Sequence, residues 1–516
     1  MNFLKEMPDS ISLYSEQGRM TPEDGGTVFL FDGRLEVKAQ TASLCFLKLR
    51  WNQPLPRGTR FCGDAWERTY GNAEWHGFCP SKMMPWYFSA QFPDTSIVCC
   101  GVKVRPGAFA AWSADPHGIT LWCDLRCGGR GVILNGRTLF AVEIKDCVYT
   151  GISAYAAGQK FCARLCTDPI FPDAPVYGSN NWYYTYGRIT EKSVLEDCRY
   201  LAELTMGLEN RPFMVIDDGW QELRKENQPN YGPWSRGNRG FPDMPHLASK
   251  IKAYNVRPGI WYRPLYLNKP SLDRKFFLRN LPYTLDPSHP EVLNIVFEDI
   301  TRLCSWGFEL IKHDFTTFDS LNRYGFDMQP WPCSGNWSFF DRSRTTAEIL
   351  MELFKTIRVS AGPVLIMGCN TIGHLAAGLQ ELSRTGDDTS GKRWDRTRKM
   401  GVNTVAFRGA QHRTFFDMDA DCIGITEAIP WSLNRLWAEL VAASGSSLFL
   451  SPKPGVLNAE ENEQLRQLLT VASKGKIAAE PLDWQENACP EYWLINGKER
   501  HISWLEENGG EPDFLP

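Results

Sequence analysis

The apolar and polar positions of the chain follow two rhythms, and the change falls near residue 175. Before it, short apolar runs such as "FLFDGRLEVKAQTASLCFLKLRW", "GITLWCDLRC" and "RTLFAVEIKDCVYTG" are separated by Gly, Pro and Asn. Partial period-two alternation, with a turn signal at Asp32-Gly33, predicts strands. No helix pattern stands out, so residues 1–172 are expected to form an antiparallel β-sandwich.

Beyond that point apolar runs alternate with helical patterns. The predicted strands are residues 176–182, 213–217, 257–262, 308–313, 363–368, 381–384, 404–407 ("TVAF") and 446–450. Thr190 is placed to cap a helix carrying Val194, Leu195, Cys198, Leu201 and Leu204 at helical spacing. Ser288 to Glu291 has the capping-box form ahead of Val292, Ile295, Ile300 and Leu303. Eight alternating units predict an α/β fold, a central (β/α)8 TIM barrel over residues 173–451. The remainder, 452–516, opens on "SPKPG" and holds one helical pattern, "NAEENEQLRQLLTVAS", before two strand-like runs. It is expected to form a small C-terminal β domain. A length of 516 residues exceeds one ordinary core and suits two or three domains.

Composition narrows the class. The net charge is −4 with no long basic or acidic run, which argues against a nucleic-acid partner. No 18-residue apolar stretch appears, so no membrane-spanning helix is expected. The first residues lack the apolar core of a secretory signal, which implies a cytoplasmic protein or a chain that begins after a removed signal. The sixteen cysteines sit mostly in apolar runs, including adjacent Cys99 and Cys100, and read as reduced, buried thiols.

Chemistry enters at the strand ends, where barrel active sites lie. "FMVI" runs into Asp217 and Asp218, "FELIKHD" ends in Lys312 and Asp314, "PVLIMG" leads to Cys369 and Asn370, and "ELSR" leads through Arg384 to Asp387 and Asp388. Lys312 and Asp314 are two apart and share the inward face, while His313 points to the helices. Several carboxylates converging on one mouth repel one another unless a metal or a reaction uses them. A divalent-metal site wants His among its ligands, and no strand-end motif places one there. Glycoside hydrolysis needs two carboxyl groups across a sugar. Trp182, Trp220, Trp261 and Tyr262, beside the acids, suit a pyranose ring.

In this order, "FMVIDDGWQ", "YTLDPSHPEV", "LIKHD", "MGCN" and "SRTGDDTSG" resemble glycoside hydrolase family 36, the melibiase-like α-galactosidases, in a clan shared with family 27. The resemblance covers roughly residues 175–450. It implies a retaining double displacement without metal or organic cofactor, with Asp314 as nucleophile and Asp388 as acid/base, Asp387 ranking second for that role. For that cycle Asp388 is expected to have a raised pKa. Asp217 and Asp218 would bind the sugar's O4 and O6, and Lys312, Cys369, Arg384 and Asp387 would line the same subsite with Trp182 and Trp261. The implied partner is a small oligosaccharide or glycan ending in α-galactose. α-N-Acetylgalactosaminide hydrolysis, α-galactosyl transfer and a non-catalytic sugar-binding role are the alternatives.

The sequence also departs from the family. His313 stands where the family commonly has Trp, and a long aromatic loop follows Asp314. Residues 63–75, "GDAWERTYGNAEW", form a polar-aromatic run that either folds over the barrel mouth or is a plain sandwich loop. A three-domain layout leaves room for a homo-oligomer.

Overall fold

A computed structural model describes residues 3–505 except 6, 223–231, 279–280 and 476–477, together with 506 and 509. The N-terminal part is two antiparallel sheets, of seven and six strands. In the strand Arg34–Ala39, buried Leu35, Val37 and Ala39 alternate with polar residues, as one wet face requires. The hairpin before it turns at Asp32 and Gly33, whose φ values of 48° and 75° define a type I′ geometry suited to twisted strands.

A helix, Ala154–Leu165, corrects the all-strand expectation for this region. Its buried Ala154, Ala157, Phe161 and Leu165 follow helical spacing, but small residues make that stripe weak. Ser153 caps it, accepting from the Ala156 amide at 3.1 Å.

The barrel begins with Tyr177–Asn180, followed by Phe213–Ile216, Arg257–Tyr262, Leu310–His313, Leu365–Gly368 and Leu382–Arg384, each parallel to the next. The seventh strand is split into Asp417–Asp419, paired with the sixth, and Ile423–Ile425, paired with the eighth, Leu448–Pro452. The eighth pairs with the first, and an Asp419–Ser447 bridge joins the remaining seam, closing the ring.

Residues 404–407, expected as the seventh strand, lie inside the helix Trp394–Arg408. That helix is buried on every side from Met400 to Arg408, so no amphipathic period marks it and its β-branched run imitates a strand. Its burial is explained by the sandwich: Thr404 meets Thr69 at 2.8 Å, and Asn403 donates to the carbonyl of Ala73. The true strand, "DMDADCIGI", is acidic because it ends at the mouth.

Thr190 caps the first barrel helix as expected, accepting from the Ser193 amide. At the third, Ser288 does not cap. His289 takes that place because Pro290 fills the first helical position.

The helix Ala459–Ala472 packs on Trp431–Ser444 and on Glu191–Leu204, the seventh and first barrel helices. The helical pattern expected within the C-terminal unit therefore completes the barrel's outer ring. Beyond this helix, the strands Ala479–Pro481, Tyr492–Ile495 and Lys498–His501 form a three-stranded antiparallel sheet. Among the described residues no helix is long and apolar enough to cross a membrane.

Leu465, fully buried in the helix Ala459–Ala472, tests its place. Leu465→Ala is expected to cost about 2–5 kcal/mol and to lower the urea midpoint followed by tryptophan fluorescence. An unchanged midpoint would show that the barrel does not depend on this helix.

Candidate active site

Strand alternation sends Lys312 inward, and its ammonium donates to Asp217 Oδ2 at 2.7 Å across the barrel mouth. Both side chains are almost fully buried. Asn180, at the end of the first strand, donates to the same oxygen at 2.6 Å, and the Asp217 amide donates to Asn181 Oδ1. Burial opposes the Lys312 charge, but Asp217, together with Cys369 and Cys422, outweighs it and holds the lysine pKa well above its ordinary value. His313 points outward as expected, its ring 6.3 Å from that of Phe354 on the covering helix. There burial depresses its pKa to about 4.

Asp218 follows Asp217 and accepts from Gln221 Nε2 at 2.7 Å. Burial, with the Asp217 charge adding, pushes its pKa up to about 6 against some relief from Gln221. A carboxyl titrating there can donate to or accept from a sugar hydroxyl.

Asp314 leaves the fourth strand held by two donors to its carboxylate. Trp261 Nε1 reaches Oδ2 at 3.1 Å, and the Phe315 amide reaches Oδ1 at 2.7 Å. Phe315 itself has φ 60°, in the left-handed region. Behind it Arg263 and Asp319 form a buried two-pronged pair at 2.6 and 2.9 Å, and the Arg263 guanidinium lies 4.1 Å over the Phe315 ring.

Arg384, on the sixth strand, donates to Asp388 Oδ1 at 2.8 Å and pairs with Asp421 of the split seventh strand at 2.7 Å. It also reaches Cys369 Sγ at 3.6 Å. Cys369 lies among the key groups: burial raises its thiol pKa, Asp314 adds to this, and Lys312, Arg384 and Arg68 oppose it.

Arg68 comes from the sandwich. Residues 63–75 reach the barrel, where Thr69 pairs with Gly386 in a parallel bridge beside the sixth strand. This carries Arg68 to 3.2 Å from Asp387 and 3.9 Å from Asp388. Its neighbour Glu67 accepts from Asn370 Nδ2 at 2.7 Å.

The raised pKa expected for Asp388 is not what the structure gives. Burial works in that direction, but Arg384 first and Arg68 next, helped by Lys312 and Arg396, hold the carboxyl below its usual range. The side chain is 46% exposed, so it remains open to a ligand. Asp387, expected beside the sugar, instead has its oxygens committed to Arg68 and to Arg396 at 2.8 Å. Trp182 is partly buried at the rim, its ring 5.6 Å from that of Tyr186. Trp261 is buried and acts on Asp314 through its N–H. Trp220 and Tyr262 are core residues, Tyr262 bonding Asp299 on the outer helix.

Four supporting groups were missed from sequence: Arg68, Asn180, Gln221 and Asp421. Asn180 had a readable signal, polar residues at a strand end. Asp421 was hidden by the misplaced seventh strand.

The ring of parallel strands, with a locked carboxylate, a half-exposed one and a buried cation gathered at their ends, defines a barrel protein built around a two-carboxylate mouth. No family profile matches the sequence. The chain is 28% identical over 152 residues to the α-galactosidase AgaA of Geobacillus stearothermophilus. That match spans 26% of this chain and 20% of the relative, and across the curated proteins it matches the chain covers between a fifth and under a third of their length. Its fold is similar to that of TtGalA, an α-galactosidase from Thermus thermophilus solved with p-nitrophenyl α-D-galactopyranoside, with a TM-score of 0.61, 17% identity, and 97% and 99% of the two chains covered. The glycoside hydrolase family 36 AgaA structure gives a TM-score of 0.61 at 14% identity over 96% of this chain and 77% of that one. The resemblance to family 36 α-galactosidases is therefore found in sequence and in fold.

Asp218 yields a prediction of its own. With its pKa near 6 in the folded state against 3.8 normally, the fold holds a proton that the unfolded chain releases. Stability consequently falls as pH rises through that window. Asp218→Asn keeps the acceptor for Gln221 and removes the buried charge. The melting temperature at pH 7.5 is expected to rise by about 1–3 °C, with the gain vanishing near pH 4. A lower melting temperature at pH 7.5 would refute the assignment.

Proposed function

We propose that the chain is a retaining glycosidase that removes terminal α-galactosyl residues from small oligosaccharides. One observation carries the reading: Asp314 is locked by Trp261 and the Phe315 amide, while Asp388, half exposed, belongs to the same charge network of Lys312, Cys369 and Arg384. A fixed carboxylate suits a nucleophile, and an accessible one suits a group that must exchange protons with a leaving oxygen and with water. The names of the relatives supply the sugar.

In the first step Asp314 attacks the anomeric carbon, the glycosidic C–O bond breaks, and the departing oxygen takes the proton of Asp388, a proton that the neighbouring arginines disfavour in the free site. In the second, Asp388 as carboxylate removes a proton from water, which attacks the same carbon and releases Asp314. Asp217 is already held as an acceptor by Lys312 and Asn180, and with Asp218 it is suited to the axial O4 and the O6 of galactose. α-N-Acetylgalactosaminides and β-L-arabinopyranosides share some of these hydroxyls, so they are the comparison substrates.

The wild type is expected to release p-nitrophenol from p-nitrophenyl α-D-galactopyranoside. Asp314→Ala should lose at least about 10³-fold in kcat, with azide restoring part of it as the β-galactosyl azide. Release only from the acetamido sugar would change the sugar and keep the mechanism. Release from none of the three would overturn the reading.

The acid/base role has a separate test. Asp388→Ala is expected to lose about 10²- to 10⁴-fold on melibiose and much less on α-galactosyl fluoride, whose leaving group needs no proton. Equal losses on both would remove Asp388 from that role. Because the acid must carry a proton, activity falls as pH rises past its pKa. Arg68→Leu removes a cation that lowers this pKa, so the alkaline limb of kcat/KM on melibiose should move to higher pH. An unmoved limb would mean that Arg68 does not act on the acid.

A further inference from the structure

Two loops that are far apart in sequence meet in a chain of aromatic rings that is linked to Asp388 through Arg68. From the nucleophile's side, Phe315 contacts Phe318 at 6.3 Å between ring centres, and Phe318 contacts Tyr324 at 5.6 Å. From the sandwich, the Arg68 guanidinium lies 5.6 Å over the Tyr70 ring, and Tyr70 meets Tyr324 at 6.2 Å and Phe326 at 6.1 Å. Tyr324 is thus the junction of both series. It is 47% exposed and Phe326 is 64% exposed, whereas Tyr70 beneath them is buried.

The pair is firmly seated. Gly325, between the two rings, has φ +57°, and a Cβ there would stand 3.1 Å from Tyr70 Cζ. A side chain there would be strained and would press on the tyrosine, so glycine suits this close approach. The Tyr70 hydroxyl donates to Glu67, which also accepts from Asn370 at the end of the fifth strand. Rings held rigidly in water at the rim of a polar site gain nothing from the core, and such surfaces mark binding.

We propose that Tyr324 and Phe326, backed by Tyr70, form the platform on which the leaving-group sugar of the substrate stacks, a hexopyranose with a flat C–H face. This rests on the glycosidase reading above. The acid donates to the oxygen that joins galactose to its leaving group, so that group must lie on the Asp388 side. There the Tyr70 backing is one guanidinium away, since Arg68 stands 3.9 Å from Asp388 and lies over the Tyr70 ring, and Tyr324 and Phe326 pack on that ring. The sandwich and the nucleophile's own loop therefore build this subsite together. It selects saccharides over galactosides with small leaving groups, and it favours transfer to an acceptor sugar that occupies the same platform.

The test compares melibiose, whose glucose would occupy the platform, with α-galactosyl fluoride, which leaves it empty. In Tyr324→Ala, Phe326→Ala and the double variant, kcat/KM for melibiose is expected to fall about tenfold or more, with a much smaller loss on the fluoride. Tyr324→Phe, which keeps the ring, should retain most of the melibiose activity. Equal losses on both substrates would assign the rings a purely structural role and overturn the proposal. An unchanged ratio with a shift in sedimentation would make them a subunit contact and also overturn it. If the wild type hydrolyses neither substrate, the α-galactosidase reading falls and the platform assignment falls with it. If the wild type hydrolyses both and the ratio does not move, only the platform fails.

Discussion

The buried pair of Lys312 and Asp217 is the constraint around which the mouth is organised. Removing two opposite charges from water costs several kcal/mol per ion even after relaxation. That cost is offset only where further polar groups complete their bonding. Here the completion comes from Asn180, which binds the same carboxylate oxygen as Lys312, and from Asn181, which accepts from the Asp217 amide. The ends of the first, second and fourth strands are thereby fixed to one another. Asp314, two residues beyond Lys312, inherits its position from that arrangement, and Trp261 on the third strand completes it.

Around this pair the charges are crowded, with carboxyl groups outnumbering the arginines. Asp218, Asp314, Asp387, Asp388 and Asp421 face Arg68, Arg384 and Arg396, and Arg384 alone serves both Asp388 and Asp421. The cations that make the cluster tolerable also withdraw the proton from Asp388. Asp218, with less cationic support, is pushed the other way. Position relative to the arginines gives carboxyl groups of identical chemistry different proton affinities. One of those arginines belongs to another domain, so the sandwich contributes to the electrostatics of the barrel mouth.

Much of this was legible in the chain. Seven of the eight barrel strands were readable, five of them as short apolar runs, because parallel strands buried on both faces tend to be continuously apolar. Lys312 and Asp314 could be assigned to one face because side chains alternate strictly along a strand. The seventh strand was not legible: its residues face the mouth and are acidic, while the neighbouring helix is buried all round and has no polar face to show its period. Arg68 read only as one charge in a polar-aromatic run, since nothing local distinguishes a loop that crosses to another domain from one that stays at home.

The sequence by itself determined what depends on neighbours along the chain: the strand and helix periods, the hairpin at Asp32-Gly33, the helix start at Thr190, and the acids at the strand ends. Only the tertiary structure decided what depends on distance through space. That includes the closure of the ring across the split seventh strand, the commitment of Asp387 to two arginines, the lowered pKa of Asp388, and the meeting of Tyr70 with Tyr324. The physical reason is that hydrogen-bond periodicity and turn strain act over a few residues. Electrostatic energy and ring contact act over a few ångströms between residues that can be hundreds of positions apart.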